Sequence, residues 1–133
     1  MTTENDLTTR LEKNEIILLD GGIGTELERL GAPMDHDVWC AVALQSHPDL
    51  VKEVHRSYIN AGADVITVNT YAATRIALRN AGMEEKFGEW NRLAVQLAKE
   101  ALAECDPDRA VYVAGSVSTF ASSSRFGRSW KDG

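Results

Sequence analysis

The chain is 133 residues long, 44% hydrophobic and 26% charged, the proportions of a soluble globular protein and a length that suits one ordinary domain with a buried core. Its net charge of −6 argues against a nucleic-acid partner or an anionic membrane surface, both of which need a basic face, and no apolar stretch is long enough to span a bilayer. Cys40 and Cys105 stand far apart, so neither a disulfide framework nor a metal-binding spacing is implied, and the default compartment is a reducing cytoplasm.

Residues 1–15 are polar and charged, without the apolar core of a secretory signal, and read as a lead-in, loose or briefly helical. Residues 16–133 read as the domain portion. Its organising stretch runs from Ile16 to Gly31. Ile16-Ile17-Leu18-Leu19 has no polar alternation, the pattern of a strand buried on both faces. The run ends on Asp20 and then on Gly21, Gly22 and Gly24, where backbone turns sharply or approaches a ligand closely. Thr25 is placed to cap the next helix, with Glu26 and Glu28 near its positive end and Gly31 as its stop. An acid and bare backbone thus sit at the C-terminal end of a buried strand, where parallel α/β proteins hold their ligands. On local pattern alone, a plain turn explains Asp-Gly-Gly about equally well. A dinucleotide fingerprint fails in detail: Leu27 stands where a glycine or alanine should allow close packing, and no second strand follows soon enough to carry a ribose-binding acid.

After a loop over residues 32–37, Val38 to Leu44 is apolar enough to pack over the core as a short helical segment, with Cys40 as a small buried side chain. His47-Pro48-Asp49 opens a helix. Leu50, Val51, Val54, Tyr58 and Ala61 share one of its faces, His55 lies near the edge of that face as a structural histidine, and Gly62 stops it. Ala63 to Tyr71 is a second buried strand running into polar residues. A strand, a long helical connection and another strand make the parallel crossover unit, so Asn69, Thr70 and Tyr71 emerge on the same side as Asp20. There they are suited either to fixing a small polar ligand or merely to capping the next helix. Residues 72–81 read as a helix closed by Gly82. A longer helix presents Trp90, Leu93, Ala94, Leu97, Ala98, Ala101 and Leu102 as a core-facing stripe and ends at Asp106-Pro107-Asp108. Residues 110–116 form a third buried strand. From Val117 onward the chain is rich in Ser and Gly, with Phe120, Phe126 and Trp130 as aromatics that need a packing partner.

Three blocks, residues 19–31, 54–71 and 113–116, together resemble the homocysteine S-methyltransferase family. The resemblance implies an α/β fold, a (β/α)8 TIM barrel of which this chain supplies about the first three strands, near 16–19, 65–68 and 111–115. It implies homocysteine and a methyl donor as partners, with methyl transfer to the thiol giving methionine. It also implies zinc, held by three cysteines, to keep the substrate sulfur as thiolate. Carried over by position, Asp20, Gly21 and Gly22 match the first-strand motif, and Thr67, Asn69 and Thr70 the second-strand motif, as substrate-binding residues. Val68 stands where many members carry another threonine.

Two departures accompany the match. The family's zinc cysteines lie in its later half, and neither Cys40 nor Cys105 falls in a matching block or at a strand end, so no metal ligand and no catalytic residue is assigned. Residues 118–122 also depart from the Gly-Pro loop that many members show. The readings that stay open are a methyltransferase chain active when its barrel is complete, a non-catalytic binding module without the metal half, and a divergent barrel enzyme using Asp20 as acid or base. An arc with open edges is also expected to associate with itself.

Overall fold

The computed structural model describes residues 4–118. Two strands, β1 (Val65–Thr67) and β2 (Tyr112–Ala114), pair in parallel, with Val65 opposite Tyr112, Ile66 opposite Val113 and Thr67 opposite Ala114. The segment expected as the first strand joins β1 on its other side through one parallel bridge, Leu19 to Val65. The Val65 amide donates to the Leu18 carbonyl at 3.1 Å, and the Asp20 amide to the Val65 carbonyl at 2.9 Å. The three segments therefore run parallel and in chain order, but the first is an extended edge with a single bridge rather than a full strand.

Its burial also differs from expectation. Ile16, Leu18 and Leu19 are 82%, 53% and 71% exposed, because among the described residues this segment has β1 on one side and no strand on the other. β2, the opposite edge, is half-buried rather than buried. Among the described residues only β1 has a neighbour on both flanks, and Val65 and Ile66 are buried accordingly.

Parallel pairing needs long crossovers, and helices supply them. Between the first segment and β1 come α2 (Ile23–Arg29), a 3-10 turn (Cys40–Val42), α3 (Ala43–Ser46) and α4 (Pro48–Asn60). Between β1 and β2 come α5 (Arg75–Asn80), a 3-10 turn (Glu84–Lys86) and α6 (Phe87–Cys105). Proline at the first position of α4 loses no hydrogen bond there. Gly62, at φ +107°, follows α4 in a conformation that other residues resist. The apolar faces of α4 and α6 meet each other and the sheet in one core that includes Leu27, Leu44, Val51, Val54, Ile66, Leu78, Trp90 and Leu97. At the margin of that contact Lys52 reaches Glu104 at 2.9 Å, and Arg56 pairs with the same carboxylate.

Local details depart from the sequence expectations for identifiable reasons. Gly22, not Thr25, is the N-cap of α2; Thr25 lies in the first turn and its hydroxyl donates back to the Gly22 carbonyl at 3.2 Å. The helix expected over 72–81 starts later, at Arg75, because the Thr74 hydroxyl accepts from the Ala77 amide and sets the cap there. On α4 the buried face is turned from the expected one: Ala61 is exposed, whereas His55 and Ile59 are buried. The aromatic residues Phe120, Phe126 and Trp130 lie outside the described residues.

The lead-in forms a helix, α1 (Glu4–Glu12), which docks at the N-terminal ends of the strands. The Tyr112 hydroxyl donates to Asp6 at 2.9 Å, and Arg10 donates to Asp64 at 3.2 Å and to Glu15 at 2.9 Å. Asp64 also accepts from the Leu18 amide at 2.9 Å. That amide, with Arg10 beside it, holds the Asp64 carboxyl below the usual carboxylate range.

His55 is fully buried with no hydrogen-bond partner on either ring nitrogen. It was expected at the margin of its helix face as a satisfied structural residue, and it is instead central and unsatisfied. Burial alone pushes its pKa down from 6.5 to about 4. As pH falls through this window the unfolded chain takes up the proton first, so stability is complete above about 6.5 and is lost toward 4. A shift of that size is worth about 3 kcal/mol. Urea titrations at pH 7 and pH 4.5 should show most of this loss, and His55→Leu should flatten the dependence by the same amount.

Candidate functional site

The site starts from one carboxylate. Asp20 follows the edge segment, and both of its oxygens engage Thr67 at the end of β1: the Thr67 amide donates to Oδ2 at 2.7 Å and the Thr67 hydroxyl to Oδ1 at 3.0 Å. The two C-terminal strand ends are thus held together by a charge-assisted pair of hydrogen bonds. Each oxygen keeps lone-pair capacity for a further donor.

The glycines after Asp20 are required by what presses on them. A β-carbon at Gly21 would lie 2.7 Å from the Tyr58 hydroxyl, and one at Gly24 would lie 2.9 Å from the Trp39 ring. Tyr58, on α4, donates to the Gly22 carbonyl at 3.1 Å and so draws the glycine loop onto the helix layer. Bare backbone is consequently exposed beside Asp20.

Past β1, the Asn69 side chain turns to the 3-10 turn that begins at Cys40. Its Nδ2 donates to the Cys40 carbonyl at 3.2 Å, and the Cys40 thiol donates to its Oδ1 at 3.1 Å. Burial pushes the Cys40 thiol up to about 11. Beside it Trp39 adopts φ 44°, ψ −120°, a backbone conformation uncommon for a bulky residue. Its ring meets Tyr71 edge-on, with centroids 6.3 Å apart. The turn is anchored by Asp35, whose carboxylate accepts from the Asp37 and Val38 amides at 2.7 and 3.0 Å.

These groups enclose a cleft of about 310 Å³ at the C-terminal ends of the strands, within the range of small-ligand sites. Of the residues singled out in the sequence, Asp20, Gly21, Gly22, Thr67 and Asn69 line it together. Thr70 does not. Its hydroxyl donates to the Ser116 carbonyl at 2.8 Å, and it borders a neighbouring cavity of about 330 Å³. Trp39 and Cys40 join the cleft without having been picked out as site residues. Cys40 was expected as a buried residue away from any strand end; it is buried, but the turn folds back over the rim and brings it there. A short apolar run between loops carries no signal of that return. Asp20 is the one charged side chain among the described lining residues. Among the described residues no group of three His, Cys, Asp or Glu is placed to hold a metal ion, and no helix is long and apolar enough to cross a membrane.

Residues 17–129 match the family model described as homocysteine S-methyltransferase. A homocysteine S-methyltransferase from Escherichia coli (strain K12) is 34% identical over 125 residues, covering 90% of this chain and 40% of its own length. Homocysteine S-methyltransferase 1 of Zea mays is 44% identical over 88 residues, covering 65% of this chain and 27% of its own. The crystal structure of the metallated form of the Escherichia coli homocysteine methyltransferase MmuM superposes with a TM-score of 0.75 at 35% identity, covering 86% of this chain and 41% of that one. The chain therefore spans about two fifths of the length of this Escherichia coli relative and of its structure.

Removing the Asp20 carboxylate leaves the Thr67 amide and hydroxyl without their acceptor. Asp20→Ala is expected to lower unfolding stability by about 1–2 kcal/mol, read as a shift of the urea midpoint. Asp20→Asn, which keeps one acceptor oxygen, should lose less.

Proposed function

The chain belongs to the homocysteine S-methyltransferase family, and on that premise we propose that it supplies the homocysteine-binding side of an enzyme that transfers a methyl group to the homocysteine thiol, giving methionine. The observation that carries this reading is the cleft at the parallel strand ends, where Asp20 is the one charged side chain among the described lining residues. A carboxylate in a partly enclosed cleft favours a cationic group, and the α-ammonium of an amino acid is one. In this reading Asp20 receives the ammonium while Gly21 and Gly22 let the backbone close on it. Asn69 offers its remaining amide capacity to the polar end of the ligand. Thr67 holds Asp20 in place, and Thr70 acts at one remove by anchoring Ser116. The Trp39 and Tyr71 rings and Val68 form an apolar wall for the methylenes.

In the transfer itself the thiol gives up its proton, the sulfur lone pair forms the new S–C bond, and the donor heteroatom keeps the electron pair of the bond that breaks. Zinc supplies thiolate stabilisation in the family, as the resemblance implies. The described residues do not fit a zinc site, so no step is derived through one.

We take residues 16–133 as the first part of a (β/α)8 barrel and 1–15 as its lead-in, working in the cytoplasm. Three parallel segments in chain order joined by helical crossovers support that reading. So does the match to about two fifths of the Escherichia coli structure. The exposed edge at Ile16, Leu18 and Leu19 is where a further barrel strand, or another copy of the chain, would cover apolar surface.

Three measurements check these proposals. With the full-length protein, L-homocysteine should quench tryptophan fluorescence saturably and be converted to methionine with a sulfonium, ammonium or folate methyl donor. Asp20→Ala should weaken homocysteine binding about tenfold or more; binding unchanged by that substitution would remove the assignment. Residues 1–133 expressed alone should sediment as an associating species whose mass rises with concentration, and a monomer at all concentrations would contradict the open-edge reading.

A further inference from the structure

The homocysteine reading places Asn69 in the cleft but leaves open what holds its amide, and the rotation of an asparagine side chain decides whether it offers a donor or an acceptor. In this chain the orientation is determined by Cys40. The Cys40 carbonyl cannot donate, so the group facing it at 3.2 Å must be Nδ2. Oδ1 then faces Sγ at 3.1 Å and cannot donate either, so the thiol must supply the hydrogen. One residue thus contacts both ends of the amide, through its backbone carbonyl and its side chain. Both residues are buried, Cys40 at 2% exposure and Asn69 at 3%, so water does not compete for these bonds.

We propose that Cys40 is a positioning residue: its thiol and carbonyl lock the Asn69 amide in one orientation in the cleft and so contribute to recognition of the amino-acid substrate. This inference rests on the homocysteine reading of the cleft. The bond requires the thiol to stay protonated, and burial does that by pushing it up to about 11. Cys40 therefore serves as a hydrogen-bond donor and not as a nucleophile or thiolate ligand. The bare backbone of Gly24 leaves room for the thiol, since a β-carbon there would lie 3.2 Å from Sγ.

The test uses the full-length protein and two readouts. In the absence of ligand, the two Asn69 side-chain amide protons should have NMR shifts displaced from free-amide values and should exchange slowly with solvent. In Cys40→Ala both shifts should move toward free-amide values and exchange should quicken, whereas Cys40→Ser, which keeps a donor on the same carbon, should stay close to the wild type. In steady-state assays Cys40→Ala should raise KM for homocysteine about fivefold while kcat moves little, and Cys40→Ser should return KM to within about twofold. Adding Cys40→Ala to Asn69→Ala should cost nothing further. Should Cys40→Ala fail to fold, Cys40→Val, which fills the space without a donor, gives the same comparison. Amide shifts and solvent protection unchanged in the donor-free variant, or an additive loss in the double variant, would overturn the proposal. If the wild type does not bind homocysteine while the amide signals still follow the donor, the functional reading fails and the positioning role stands.

Discussion

The interaction on which the described structure most depends is the one between the Asp20 carboxylate and Thr67. The edge segment contributes only one bridge to the ladder, too little by itself to fix where its end lies against β1. Asp20 adds two bonds across that junction, from the amide and the hydroxyl of one residue. The same bonds fix the position of the carboxylate. A strand-pairing device and a candidate ligand group are therefore one side chain, and the glycine loop takes its starting point from it.

Asp64 plays the matching part at the other end of the same strands. It sits just before β1 and accepts from the Leu18 amide and from Arg10 of α1. The edge segment is thus pinned at Leu18 and again at Asp20, although the exposed side chains of Ile16, Leu18 and Leu19 gain little from burial. Polar contacts at its two ends do what hydrophobic packing does for β1. The lead-in helix becomes part of the fold through this carboxylate and through Tyr112.

The upper rim accepts unfavourable local geometry to close the cleft. Trp39 sits at positive φ, which a bulky side chain resists. The Asp35 turn, the packing of its ring beside Gly24 and the contact with Tyr71 hold it there. That geometry carries Cys40 to Asn69. Strain at Trp39 and the thiol–amide bond are linked consequences of a loop folded back over the strand ends.

The sequence by itself determined much of this protein. Apolar runs separated by helical crossovers dictate parallel strands, because only a long connection returns a chain to the same direction. An acid followed by glycines after the first run marks the rim, and the stripe on α6 marks the core. Its buried positions Trp90, Ala94, Leu97, Ala98 and Ala101 all lie on that stripe. Family blocks then placed Asp20, Gly21, Gly22, Thr67 and Asn69 together, and all five line one cleft. The tertiary structure alone decided the rest. Burial depends on neighbours, so Ile16, Leu18 and Leu19 of an apolar run lie exposed at an edge, and His55 is central on α4 rather than marginal. The direction of a hydroxyl depends on what stands opposite, so Thr70 serves Ser116 and not the cleft. The meeting of Cys40 with Asn69, 29 positions further along the chain, depends on how a loop returns over a rim. No periodicity encodes that, because the contact belongs to neither residue's own element.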